Sequence, residues 1–161
     1  MQMRGVLYFV IAVGLASVTG CGGISPTVPK GYKELVGDVV PLTGEVTLDG
    51  SPAQGLSVWV LNEKSMPQYL AKKDSGDQIR PFATGTFKAD GTFQFTTLTA
   101  GDGLPAGNYI ICFSKAIEAG TSNPEAEKFN ALYAKPDTSK YKATLEKGKP
   151  VDLGKIELST K

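Results

Sequence analysis

Apolar and polar residues alternate in short runs along most of this chain. That period of two is what a half-buried strand imposes, because successive side chains point to opposite faces. Leu42, Gly44, Val46 and Leu48 alternate with Thr43, Glu45 and Thr47, and Asp49-Gly50-Ser51-Pro52 then supplies a turn. Leu56, Val58 and Val60 form one face of a second strand, with Trp59 and Leu61 on the other. Trp59 has apolar neighbours on both sides and is expected to anchor the core; the alternative is an exposed binding aromatic.

The residues from Ala83 to Lys115 carry the strongest pattern. Phe93 and Phe95 alternate with Thr92, Gln94 and Thr96, and Asp90-Gly91 marks a hairpin turn. A two-residue loop would set Lys88 beside Phe93. A three-residue loop, Ala89-Asp90-Gly91 with Gly91 left-handed, sets Phe87 opposite Phe93 and Gly85 opposite Phe95, so the rings share one face and Gly85 leaves room for one of them. The run from Gly101 to Gly107 is rich in Gly and holds Pro105, so it is a connection rather than a central strand. Tyr109-Ile110-Ile111-Cys112-Phe113 is apolar on both faces, which predicts a central strand covered on each side or shielded outside by a loop. Cys112 is expected there as a buried small hydrophobe, not a reactive thiol.

Between the second and third strands, from Asn62 to Pro81, no strand pattern is present. Long loops often carry function, and Tyr69, Leu70, Lys72 and Lys73 make this stretch the candidate partner-binding loop. The plainer alternative is a solvated excursion with Tyr69 and Leu70 tucked against the domain. Asp74 and Asp77 flank a Ser-Gly pair and read as a solvated turn rather than a calcium loop. Ser122-Asn123-Pro124-Glu125 has the features of a helix start, and Phe129, Leu132 and Tyr133 follow at helical spacing, predicting a short helix that ends before Pro136. Tyr141, Ala143 and Leu145 give a sixth strand, with Lys147-Gly148-Lys149-Pro150 as its turn. In the last strand Val151 and Leu153 fall out of phase with Ile156 and Leu158, and a bulge at Gly154-Lys155 restores a common face. The sum is an all-β fold: a seven-stranded antiparallel two-sheet sandwich over residues 38–161, with one short helix before the last two strands.

The N-terminus changes where such a domain is expected. Residues 1–20 have one cation, Arg4, and an apolar run too short to span a bilayer as a helix, which reads as a signal peptide. Val18-Thr19-Gly20-Cys21 resembles the bacterial lipobox, in which small residues precede a Cys that is acylated and becomes the first residue of the mature chain. Cys21 is therefore the expected lipid-attachment site, and Gly22, in place of Asp, favours the outer over the inner membrane. Residues 21–37, with Gly22, Gly23, Pro26 and Pro29, read as a flexible tether. Removing residues 1–20 takes away Arg4 from 17 basic and 16 acidic side chains, leaving a formally neutral chain. No basic block is present for nucleic acid or anionic lipid, so the expected membrane contact is the lipid alone.

Composition narrows the chemistry. The histidine count is 0, which removes Ser-His-Asp and Cys-His nucleophilic catalysis, imidazole zinc sites and a His acid or base near neutral pH. A carboxylate pair could still hydrolyse glycosides. Of the 2 cysteines, lipidation of Cys21 leaves Cys112 without a disulfide partner. No cofactor is expected beyond the covalent lipid.

Residues 42–52, then Ala89-Asp90-Gly91-Thr92-Phe93, then Pro105-Ala106-Gly107-Asn108-Tyr109, resemble the carboxypeptidase regulatory-like and transthyretin-like modules. With the lipobox, the chain is similar to the small lipoproteins of this fold in planctomycete-type bacteria. That resemblance implies a transthyretin-like sandwich and leaves activity open. The urate-pathway hydrolases of this fold depend on histidines, which are missing here. Pilin-type modules form a Lys–Asn isopeptide, for which the first strand offers no Lys and the last no Asn. The expected function is a non-enzymatic, lipid-anchored envelope protein that binds protein or polysaccharide or serves structurally. One alternative is a carbohydrate-binding module using Trp59 and Tyr69; another is a carboxylate-type hydrolase.

Overall fold

Strands with one apolar face are stable only when that face is folded against another apolar layer. The computed structural model of the chain, which describes residues 37–73, 75 and 82–160, meets this requirement by curling one sheet around its own apolar side. The strands are β1 (Val39–Val40), β2 (Leu42–Leu48), β3 (Ser51–Pro52), β4 (Leu56–Asn62), β5 (Ala83–Phe87), β6 (Thr92–Phe95), β7 (Leu104–Pro105), β8 (Gly107–Lys115), β9 (Lys142–Leu145) and β10 (Val151–Leu158). Two helices accompany them, α1 (Met66–Lys72) and α2 (Pro124–Tyr133). Seven strands form a continuous hydrogen-bonded path in the order β10-β2-β6-β5-β4-β8-β9, while β3 extends β2 and β1 pairs with β7 as a small separate ribbon. The fold is an all-β sandwich whose two layers are parts of one curled sheet.

The aromatic hairpin has the register that side-chain period demands. Gly85 is opposite Phe95 and Phe87 opposite Phe93. The three-residue loop closes with Lys88 N–H donating to the Thr92 carbonyl at 2.8 Å and Gly91 at φ 83°. A Cβ on Gly85 would lie 2.6 Å from Val58 Cγ1 and 3.1 Å from Phe95 Cε1, so the missing side chain is filled by its neighbours. Across the core Phe93 meets Phe113 edge-on at 6.3 Å, and Phe113 meets Tyr141 at 5.5 Å. Val46, Val58, Val60, Phe95 and Ile111 are fully buried around them.

The last strand departs from an antiparallel sheet: β10 runs parallel to β2. Its preceding turn holds only one bridge, Glu146 to Lys149, after which Val151 N–H donates to the Pro41 carbonyl at 2.9 Å. That bond draws β10 off β9 and onto the far edge of the sheet, so the two edges face one another across the open seam. The predicted bulge is present, a register shift between Asp152 and Lys155 that keeps Ile156 and Leu158 buried.

Helix α2 closes the seam at one end. Asn123 caps it by accepting from Ala126 N–H, with Pro124 at its first turn. Asn130 then clamps β8 beyond the reach of β9, accepting from Lys115 N–H at 2.8 Å and donating to the Lys115 carbonyl at 3.0 Å. Tyr133 reaches the end of β10, its hydroxyl donating to the Ser159 carbonyl at 3.1 Å. Phe129, between them, is fully buried. Leu132, expected on the packed side, is exposed instead, because Ala126, Phe129 and Tyr133 already supply the stripe that faces the sheet.

Candidate functional site

The outer face of the sheet is where sequence and structure diverge most. In β4 and β8 this face is apolar: Leu61, Ile110 and Cys112 are buried there without joining the inner core. Water must be kept off them, and two segments do so. The stretch after β4 folds into a turn of 3-10 helix, Glu63–Ser65, followed directly by α1. Asn62 caps the turn by accepting from Lys64 N–H at 3.0 Å, and Pro67 lies in the first turn of α1. From the other side the turn at 136–141 folds over β8. Ser139 Oγ donates to the Ile111 carbonyl at 2.6 Å, and Ile111 N–H donates to the Tyr141 carbonyl at 2.9 Å.

The candidate loop of residues 62–81 therefore contains a helix where no regular structure was expected. Its signals were the Asn62 cap and the Ser65-Met66-Pro67 start, but α1 buries no residue, so no apolar period marks it. Tyr69 is half-buried and Lys73 exposed, and both meet Asp137: Lys73 Nζ lies 3.0 Å from Oδ2, and the Tyr69 hydroxyl donates to Oδ1 at 3.5 Å. The Lys73 hydrogen bond is the main reason the Asp137 carboxyl is held below the usual carboxylate range. Leu70 is 47% exposed and Lys72 is also exposed, so neither is tucked against the sheet. Of the four candidate residues, the structure thus brings Tyr69 and Lys73 to one latch and leaves Leu70 and Lys72 facing solvent. Cys21, Asp74 and Asp77 lie outside the described residues.

Between the two covering segments a notch of about 370 Å³ remains, lined in part by Glu63, Met66, Ile110, Asp137, Ser139 and Lys142. An ion pair from Lys142 to Glu63, at 3.1 Å, spans it. Asp137 and Ser139 at this notch are residues that sequence reasoning missed; Asp137 follows a buried Pro136 just beyond α2, and no strand or helix period points at it.

Cys112 sits under this layer, in register with Trp59. Burial pushes its thiol up to about 12, against the opposing hydrogen bond from Ser139, which keeps it protonated and unreactive at neutral pH. Trp59 is half-buried on the outer face and stands apart from the inner core, a correction to its expected role. The reason is parity: Val58 and Val60 take the inner face, and Trp59 must point the other way. Among the described residues no three His, Cys, Asp or Glu side chains come together as a metal-binding group, and no helix is long and apolar enough to cross a membrane.

No family model matches the chain, and no curated protein matches it. Among solved structures it is similar to the crystal structure of a proposed carbohydrate binding protein from Pseudomonas aeruginosa, with 16% identity over 83% of this chain and 98% of that one, at a TM-score of 0.35. A likeness that slight carries no argument about what this chain binds.

Proposed function

We propose that this chain is a lipid-anchored β-sandwich of the cell envelope, acylated at Cys21, that acts by binding a partner rather than by covalent chemistry. Residues 21–37 space the sandwich from the bilayer, and the module is of the carboxypeptidase regulatory-like and transthyretin-like type. The observation that supports binding is the docked layer on the outer face. The 3-10 turn and α1 are held by Asn62, Tyr69 and Lys73, yet present Leu70 and Lys72 to solvent beside the notch at Glu63 and Asp137. An exposed apolar side chain on a positioned helix suits a protein surface better than a small substrate.

Anchoring is tested by expression in a lipoprotein-competent host with labelled palmitate. The expected product is labelled, accumulates as precursor under globomycin, and loses its label in Cys21→Ala; an unlabelled wild-type chain sinks the anchor. Contact is tested by affinity capture from envelope extract with wild type and Leu70→Asp. Loss of the same captured partner in the variant supports the docked layer, and equal capture removes it from the contact.

A further inference from the structure

A second concavity lies on the outer face at the other side of the sheet, away from α1, across β10, β2 and β6. Its volume is about 430 Å³. The alternation that sends Val46, Phe93 and Phe95 inward leaves Thr43, Glu45, Thr92 and Gln94 on its floor, and these pair across strands as Thr43 with Gln94 and Glu45 with Thr92. The bulge in β10 shapes the opposite wall. There Asp152 accepts from Gly154 N–H at 3.0 Å, and Lys155 stands beside Glu45 in the parallel register. Bulges re-aim side chains and recur beside binding sites.

The floor is polar and only partly satisfied internally: the Thr92 hydroxyl donates to Asp90 Oδ1 at 2.6 Å, while Glu45 and Gln94 stand open. Glu45 and Gln94 are half-buried, and neither side chain makes a hydrogen bond or ion pair among the described residues. Together they offer a carboxylate acceptor and an amide that both donates and accepts, with Thr43 opposite Gln94 across the strands. Asp90 and Lys88 continue the rim, so three carboxylates face two ammonium groups around the groove. Such a mixture gives no field for a polyanion and no ring of like charge for a metal ion. It also lacks the apolar centre that a protein contact needs, since Phe93, which lines the groove, is 1% exposed. What remains complementary is a neutral ligand dense in hydroxyl groups, each able to donate and accept within a small area.

We propose that this groove is a carbohydrate subsite that holds a neutral oligosaccharide by hydrogen bonds, with Glu45 and Gln94 as its main contacts. It is independent of the lipid anchor and of the α1 contact, and it differs from an aromatic platform built on Trp59 and Tyr69.

The test uses the full-length chain in a sugar-free zwitterionic detergent, titrated with chitotetraose, cellotetraose and maltotetraose, and with a heparin tetrasaccharide as the polyanion. Calorimetry reads affinity and amide exchange reads place. The expected result is that a neutral tetrasaccharide binds and protects residues 43–45, 92–94 and 152–155. Glu45→Ala and Gln94→Ala should each weaken it about tenfold, equivalent to about 1.4 kcal/mol, while Tyr69→Ala leaves it unchanged. Both residues are half-buried and outside the inner core, and Glu45→Gln, which keeps size, should weaken binding in the same direction. No heat from any neutral probe, preference for the heparin fragment, or protection confined to residues 66–72 would each overturn the proposal. Because the α1 contact is read by Leu70→Asp and the groove by Glu45→Ala, failure of one leaves the other standing.

Discussion

The two faces of the same sheet are held by different physics. Inside, Phe87, Phe93, Phe95 and Phe113 meet at ring separations of 5.7–6.3 Å and are joined by fully buried Val and Ile side chains. Outside, α1 buries none of its own residues and has no side-chain cap, and Tyr69 and Lys73 tie it to Asp137, the Lys73–Asp137 pair having side chains 36% and 23% exposed. Apolar burial contributes far more than an exposed ion pair, so the inner face should carry global stability and the outer layer should open by itself. A face that opens cheaply is the one that can adapt to a partner.

Three substitutions break or sharpen this contrast. Phe95→Ala removes a fully buried ring and should cost about 3–5 kcal/mol in urea denaturation, lowering the whole sandwich at once. A loss below that range would mean the inner core can collapse around the gap. Asn130→Ala removes both bonds to the Lys115 backbone and should cost about 1–3 kcal/mol, since the carbonyl and N–H it satisfies are partly buried. Its effect should fall on α2 and the end of β8, read by amide exchange. Lys73→Ala should cost no more than about 1 kcal/mol globally, while exchange at residues 66–72 quickens.

Acid sharpens the last of these. The Asp137 carboxyl is held below its ordinary value, chiefly by the Lys73 hydrogen bond, so the pair's contribution is present above the unfolded pKa of about 3.9 and is lost as pH falls through the lower folded value. Protection of residues 66–72, taken relative to the unfolded chain at the same pH, should therefore fall below about pH 4 in wild type, and that added acid sensitivity should vanish in Lys73→Ala.

The same contrast decides what could be read from the sequence. The hairpin register was legible because a one-residue slip would place Lys88 against Phe93, and only one loop length avoids it. The bulge near Gly154 was legible for the same reason, as a change of phase between Leu153 and Ile156. The parallel placement of β10 was not, because alternation fixes which side chains point inward and is silent on which neighbour a strand takes. Trp59 was misplaced because apolar neighbours on a strand lie on the opposite face from it. The outer layer was hidden most deeply: α1 has no buried stripe, and its anchor Asp137 is 64 residues from Lys73 in the chain. Glu45 and Gln94 were visible as polar positions of their strands, yet the groove they share exists only once β10 is seen beside β2.

The separation of the two faces is tested most directly by native-state amide exchange on the full-length chain. The account predicts that Ile110 and Cys112, which pair with Leu61 and Trp59 of β4, exchange only through global unfolding, that Met66–Lys72 exchange through a local opening of much lower free energy, and that Lys73→Ala lowers the second while leaving the first within error. Equal protection of the two segments, falling together in Lys73→Ala, would contradict it and make the outer layer part of the core.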